Sequence, residues 1–341
     1  MNTNGVRPIK SFQVDPIPSL IPYTFEKDAI RAMGGELAVG DCNTEADVLA
    51  QAQDAEILLL SWKPILTPDV MHALPNARLI IRWGVGYDMI DVAAATERGI
   101  AVANTPSYAT EDVAEHAIAL LMNCARRVAW FHERVRKGEF PYAMTNPIYR
   151  IAGKTLGLIG LGRIGTAVAR RARGLGLRVS AHDTHLDDDL IRARGAEPRT
   201  FEQVLSESDF VSIHVPLNGM TKKLMDAAAI ATMKPGAYLI NTSRGPVLDE
   251  AALRAALERG HLAGAGLDVF EQEPLPADSP LRKMEHVVLT PHMAAYSEES
   301  WQALRQEMCD TIAAWMRDGW SAHIVNPEVR AHLRARRVRR D

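Results

Sequence analysis

Gly160-Leu161-Gly162-Arg163-Ile164-Gly165 follows the apolar run Thr155–Ile159 and opens Thr166–Arg173, a segment rich in Ala and Arg with helical character. This context gives the glycines their meaning. A strand entering a glycine-rich turn and leaving as a helix is the entry to a dinucleotide-binding βαβ unit. Gly160 would allow the tight turn, Gly162 would let backbone amides approach a pyrophosphate, and Gly165 would let helix and strand pack closely. The helix N-terminus, with Arg163 and Ile164 in its first turn, offers N–H donors to the phosphates. The next strand, Arg178–His182, ends at Asp183, whose carboxylate can accept both ribose hydroxyls of NAD and would repel the 2′-phosphate of NADP. Thr184, His185 and Leu186 follow, with no arginine in the local sequence to neutralise such a phosphate, so NAD is the expected cofactor.

Outward from this turn, apolar β-rich runs recur at Phe210–Val215, Tyr238–Thr242, Gly264–Val269 and Val287–Thr290, with helix-length segments between most of them. Such alternation builds a doubly wound parallel sheet with helices on both faces. Before it, Glu56–Ser61, Arg78–Arg82 and Ile100–Ala103 read as strands of a smaller α/β domain. Glu111–Val128 places Val113, Ala117, Leu120, Leu121 and Cys124 at helical spacing and is read as a long connecting helix. Ser297–Arg317 carries Trp301, Leu304, Met308, Ile312 and Trp315 along one face and is expected to return the chain to the first domain. The expected division is a substrate domain at 1–106 and 294–328, a nucleotide-binding domain at 107–293, and a basic, disordered tail at 329–341.

At 341 residues, 47% of them hydrophobic and 24% charged, the chain is long enough for two domains with real cores. A formal net charge of -3 supplies no field that would hold the protein on nucleic acid or an anionic membrane, so a small-molecule partner is expected. The six arginines between Arg330 and Asp341 are read as a solvated tail. Cys42, Cys124 and Cys309 form no CxxC pair and an odd set, which argues against a disulfide framework and against a metal site. No export signal or membrane-spanning stretch is read, and a reducing cytoplasm fits.

Three further segments end successive strands on the rim where open α/β sheets bind ligands: Asn241-Thr242-Ser243-Arg244-Gly245, Leu267-Asp268-Val269-Phe270-Glu271-Gln272-Glu273-Pro274 and Thr290-Pro291-His292. An arginine, a carboxylate and a histidine converging on a nicotinamide are what reduction of a 2-oxo acid needs. The Arg244 guanidinium can hold a carboxylate in bidentate fashion and polarise the neighbouring carbonyl, and the His292 imidazole can deliver the proton. Glu273 behind the imidazole would orient it and stabilise its protonated form.

The segments Leu156–Gly165 (LGLIGLGRIG), Asn241–Glu250 (NTSRGPVLDE), Gly264–Pro274 (GAGLDVFEQEP) and Leu289–His292 (LTPH) resemble the successive signatures of the D-isomer-specific 2-hydroxyacid dehydrogenases. The resemblance covers about Glu56 to Asn326 and extends to Asn104-Thr105-Pro106 and Val113-Ala114-Glu115. It implies a Rossmann-type domain beside a smaller flavodoxin-like α/β substrate domain, with the active site in the cleft between them. The activity it implies is an NAD-dependent oxidoreductase acting on CH–OH groups, interconverting a small 2-hydroxy and 2-oxo acid of the hydroxypyruvate, glyoxylate or phosphoglycerate type. It also implies a homodimer.

By this resemblance Arg244 binds substrate, Glu273 pairs with the acid/base His292, and Asp268 lies beside the nicotinamide carboxamide. Backbone amides at Val85 and Gly86, in Arg82-Trp83-Gly84-Val85-Gly86-Tyr87-Asp88, would hold the substrate carboxylate. His214, Val215, Pro216 and Thr221 would line the adenosine end, Thr242 and Ser243 the ribose region, and Thr110 and Ala294 would complete the cofactor contacts. The branch containing phosphoglycerate dehydrogenase-like and C-terminal-binding-protein-like members is the most similar one. Ala295 stands where the corepressors have tryptophan, and the stretch after Val325-Asn326 is too short for added regulatory domains. Two other readings remain, an NAD(H)-sensing corepressor-like protein and a dehydrogenase of another small oxyanion such as phosphite. Glu273 in place of Gln speaks against a formate enzyme.

Overall fold

The computed structural model describes residues 7–140 and 147–333. The chain divides into two compact units, one holding residues up to Tyr108 and from Glu298 onward, the other holding Ala109–Ser297. These divisions fall a few residues later than the expected ones.

In the first unit, β1 (Ile9–Gln13), β2 (Gly35–Val39), β3 (Ile57–Leu60), β4 (Leu79–Arg82) and β5 (Ala101–Ala103) form a parallel sheet in the order β2-β1-β3-β4-β5. This is the flavodoxin-like strand order. β3 (ILLL) and β4 (LIIR) are buried along their whole length, as central parallel strands covered on both faces must be. β1 and β2 went unread in the sequence because IKSFQ and GELAV mix polar and apolar residues without a clean period.

Helix Glu298–Asp318 buries Leu304, Met308, Cys309 and Ile312 against Tyr23, Ile30, Ile57 and Leu79 of the same unit, so the C-terminal helix does complete the first domain. The chain then caps the open edge of β5. Val325 N donates to Val102 O (2.8 Å), and the fully buried Asn326 side chain accepts from Val102 N (2.8 Å) while donating to Ile100 O (3.0 Å) and Thr96 Oγ1 (2.8 Å). Val329, expected at the start of a disordered tail, is instead fully buried, and Arg330 stacks on the Trp320 ring. Apolar burial therefore holds the chain beyond the expected boundary, while residues 334–341 of that tail lie outside the described residues.

In the second unit, β6 (Thr155–Ile159), β7 (Arg178–His182), β8 (Glu197–Pro198), β9 (Phe210–Ile213), β10 (Tyr238–Asn241), β11 (Gly264–Leu267) and β12 (Val287–Leu289) pair in parallel in the order β12-β11-β10-β9-β6-β7-β8. The order reverses between β6 and β9, the switch point where such sheets bind ligands. The register aligns the strand ends, pairing Ile159 with His182 and Ile213, Asn241 with Ile213 and Leu267, and Leu267 with Leu289. Gly160, Asp183, His214, Thr242, Asp268 and Thr290, each next in sequence, therefore stand along one rim.

The connecting helix is Thr110–Arg126, and it ends where Arg127 adopts a left-handed backbone (φ 53°) before a second helix, Val128–Arg136. The first matches the expected connecting helix, Glu111–Val128, ending two residues earlier, and the second runs on from the last residue of that span. The first buries Ala114, Ala117, Leu121 and Ala125 in one cluster with Ala167, Val168 and Ala172 of helix Arg163–Gly174, small side chains that allow close approach of the two helices.

Candidate active site

The glycine turn is shaped by exclusion. Gly160 has φ +90°, and a Cβ there would lie 2.7 Å from His214 O. At Gly165 a Cβ would lie 2.3 Å from Gly160 O, whereas one at Gly162 would meet nothing within 4 Å. The first and third glycines are therefore required by the chain's own packing, and the middle one leaves its backbone approachable from outside. That combination fits a dinucleotide pyrophosphate, with the first-turn amides of helix Arg163–Gly174 facing it.

Asp183 stands at the end of β7 as expected. Its Oδ2 accepts from Leu161 N (2.8 Å) and its Oδ1 from His185 N (2.9 Å), which fixes the carboxylate beside the turn. The local sequence showed no arginine here, yet Arg194 Nη1 donates to Leu161 O (2.6 Å), bringing a guanidinium to the same residue of the turn. His214 ends β9, with its N–H on Ile159 O (2.7 Å) and Nε2 against Ser212 Oγ (2.9 Å). Burial pushes this imidazole down to about 4, so it is neutral near pH 7. Val215 packs beside Gly160, and Thr221 Oγ1 donates to Pro216 O (2.5 Å), closing the 216–221 turn.

After β10, the fully buried Asn241 folds the motif on itself. Its Oδ1 accepts from Ser243 N (3.0 Å) and Ser243 Oγ (2.9 Å), and its Nδ2 donates to Arg244 O (3.0 Å). The Thr242 hydroxyl is buried without a hydrogen-bond partner in the protein, as a group kept for a bound cofactor would be. Gly245 lets the next chain segment come very close: a Cβ there would lie 1.8 Å from Phe270 C and O. The segment bearing Arg244 is thus seated directly on the one bearing Glu273.

Glu273 and His292 form the expected pair. His292 Nδ1 lies 2.7 Å from Glu273 Oε2, while Glu273 Oε1 accepts from Phe270 N (2.9 Å). Burial alone would raise the Glu273 carboxyl, but the hydrogen bond and charge of His292, the Phe270 N–H and the nearby Arg244 charge together hold it below its usual value. His292 itself has a left-handed backbone (φ 55°), an uncommon state for a non-glycine residue. The Nδ1 side of the ring is thus committed to the carboxylate.

Asp268 is fully buried and organises the same loop. Its Oδ1 accepts from Thr290 Oγ1 (2.6 Å) and Met293 N (3.0 Å), its Oδ2 from Ala294 N (2.9 Å), and its backbone O from His292 N (2.8 Å). The amide of Ala294 is therefore already engaged. Thr110, at the first position of helix Thr110–Arg126, belongs to the same unit.

Val85 and Gly86 lie in the other unit, on the loop after β4. Asn104 Nδ2 donates to Val85 O (2.7 Å) and Thr105 N to Gly84 O (3.1 Å). Gly84 has φ +141°, and the Arg82 guanidinium occupies the place its Cβ would take, at 1.6 Å, while also lying 5.2 Å from the Trp62 ring centre. The residues missed in the sequence, Arg194, Asn241, Thr290 and Arg82, act through long-range or backbone contacts. Asn241 and Thr290 lay within the strand-end motifs and Arg82 within the loop motif Arg82–Asp88, whereas Arg194 carried no signal.

Residues 118–294 match the D-isomer specific 2-hydroxyacid dehydrogenase, NAD binding domain. The chain is 43% identical over 286 residues to a glyoxylate reductase of Korarchaeum cryptofilum, covering 83% of this chain and 86% of that protein. It is 34% identical over 310 residues to a D-3-phosphoglycerate dehydrogenase of Methanocaldococcus jannaschii, covering 90% of this chain but 59% of that one. Among solved structures, a D-lactate dehydrogenase from Aquifex aeolicus complexed with NAD and lactic acid superposes with a TM-score of 0.82 at 30% identity, covering 93% of this chain and 98% of that one. A glyoxylate reductase from Paecilomyes thermophila superposes with a TM-score of 0.85 at 29% identity, covering 95% and 99%. With the nucleotide turn, the strand-end motifs and these relatives in agreement, the chain belongs to the D-isomer specific 2-hydroxyacid dehydrogenase family of NAD-dependent oxidoreductases.

Proposed function

We propose that this protein uses NADH to reduce a small unphosphorylated 2-oxo acid of the glyoxylate or hydroxypyruvate class. The observation that carries this reading is the His292 imidazole held 2.7 Å from Glu273 with Arg244 electrostatically coupled to the same carboxylate. The substrate class is supported by the glyoxylate reductase relative, which matches over 86% of its length, whereas the phosphoglycerate dehydrogenase relative matches over only 59%.

NADH, when bound, supplies the hydride for the carbonyl carbon. Gly160, Gly162, Gly165, Arg163 and Ile164 would hold its phosphates, Asp183 the adenosine ribose, and Thr242 and Ser243 the region toward the nicotinamide. Arg244 binds the substrate carboxylate and polarises the adjacent carbonyl. His292 gives a proton from Nε2 to the carbonyl oxygen, and Glu273 stabilises the imidazolium until that transfer. The C=O becomes CH–OH and the neutral imidazole takes a proton back from water. The test is steady-state reduction of glyoxylate, hydroxypyruvate, pyruvate and 3-phosphohydroxypyruvate with NADH and with NADPH. Absence of turnover with every acid, despite NADH binding, would overturn the reading in favour of a nucleotide sensor.

The reading includes a homodimer in the cytoplasm. Helix Val128–Arg136 buries none of its own residues, and Val128, Val135 and Phe140 are exposed on and beside it, as a face meant for a second copy would be. Cys42, Cys124 and Cys309 are free and buried, which suits a reducing compartment, and no described helix is long and apolar enough to cross a membrane. Light scattering on the purified chain checks the dimer.

A further inference from the structure

We propose that His116, on helix Thr110–Arg126, is a positioning residue for the His292 acid/base and acts through Thr290 and Asp268. The inference rests on the acid/base role given to His292 above. Thr290 Oγ1 has one proton and stands 2.6 Å from Asp268 Oδ1, a carboxylate oxygen that can only accept. The hydroxyl proton therefore points to Asp268. His116 Nε2, 2.9 Å from the same hydroxyl oxygen, must then be the donor. His116 Nε2–H, Thr290 O–H and the Asp268 carboxylate form one directed chain, with His116 Nε2 also only 3.5 Å from Asp268 Oδ1.

Asp268 converts this chain into control of His292. Its backbone carbonyl receives His292 N, and its two carboxylate oxygens receive Met293 N and Ala294 N, so one buried residue grips the backbone on both sides of the left-handed turn at His292. A carboxylate free to rotate would let that turn relax and swing the imidazole away from Glu273. The Thr290 hydroxyl, oriented by His116, holds the Asp268 rotamer. A second tie between the same helix and the same segment, Ser297 Oγ to Asp112 Oδ1 (2.5 Å), makes the helix a fixed reference for the loop.

The experiment compares kcat, substrate KM and NADH affinity for the parent and for Thr290→Val, Thr290→Ser, His116→Leu, His116→Gln and the Leu/Val double variant. Valine removes only the hydroxyl, and Gln keeps an N–H donor at similar reach. Thr290→Val and His116→Leu should each lower kcat by about ten- to a hundredfold, as misplacement of a reacting group does. KM and NADH affinity should stay within about threefold, Ser and Gln should recover most of the loss, and the double variant should be no slower than the slower single one. The proposal is overturned if His116→Leu keeps kcat within about twofold of the parent, if the two losses multiply, or if kcat and NADH affinity fall together. A parent without turnover would instead remove the acid/base reading itself.

Discussion

Glu273 Oε2 lies 2.7 Å from His292 Nδ1 while its other oxygen is held by Phe270 N at 2.9 Å, so the carboxylate that faces the imidazole cannot turn away from it. Its carboxyl, raised by burial but lowered further by His292, the Phe270 N–H and Arg244, titrates below its usual value. The sign follows from linkage: the pairing is complete above the ordinary glutamate value of about 4.3 and is lost only as pH falls through the lower folded value. Acid loss of reductase activity from this group is therefore expected below about pH 4.3. Glu273→Gln removes the carboxylate that orients the imidazole and balances its charge, and reduction should fall by about a hundredfold while NADH still binds. A variant that reduces its best acid as fast as the parent would remove Glu273 from this role.

Arg244→Lys keeps a positive charge but loses the planar fork that aligns a carboxylate. Turnover should drop on the order of a hundredfold while NADH still binds, measured by nucleotide fluorescence in parallel with rates. A lysine variant as fast as the parent on its best acid would mean that Arg244 does not hold the substrate.

The proposed role of Asp183 is to set cofactor choice by repulsion, and Arg194, hydrogen-bonded to Leu161 O, is a cation already near that turn. Asp183→Ser should raise the NADPH to NADH ratio of kcat/KM by at least about tenfold, since an opposing charge is removed. Loss of the bonds to Leu161 N and His185 N should cost about 1–2 kcal/mol of stability. A parent that already prefers NADPH would contradict the assignment.

Asn326→Ala would strip two buried hydrogen bonds from the edge of β5 and a part-buried one to Thr96, leaving Val102 N and Ile100 O without their partner. A loss of about 2–4 kcal/mol is expected, read as a fall in Tm of about 2–4 °C per kcal/mol. The nucleotide-binding unit does not contain these contacts, so NADH affinity measured below the transition should be unchanged.

The features legible in the order of amino acids are local or periodic. The three glycines of Gly160–Gly165, the apolar runs of β6, β7 and β9 to β12, and the placing of Arg244, Glu273 and His292 after strands could all be read, because backbone conformation and strand period act within a few residues. The parallel rule then put those strand ends on one rim. Tertiary structure alone decided which side chains meet across it: Arg194 reaching Leu161 O, His116 reaching Thr290, and Asn326 reaching Val102. It also decided that β1 and β2 are strands and that Arg127 breaks the connecting helix. These outcomes depend on contacts between residues far apart in the chain, whose energies exceed local preference and leave no periodic trace in the order of amino acids.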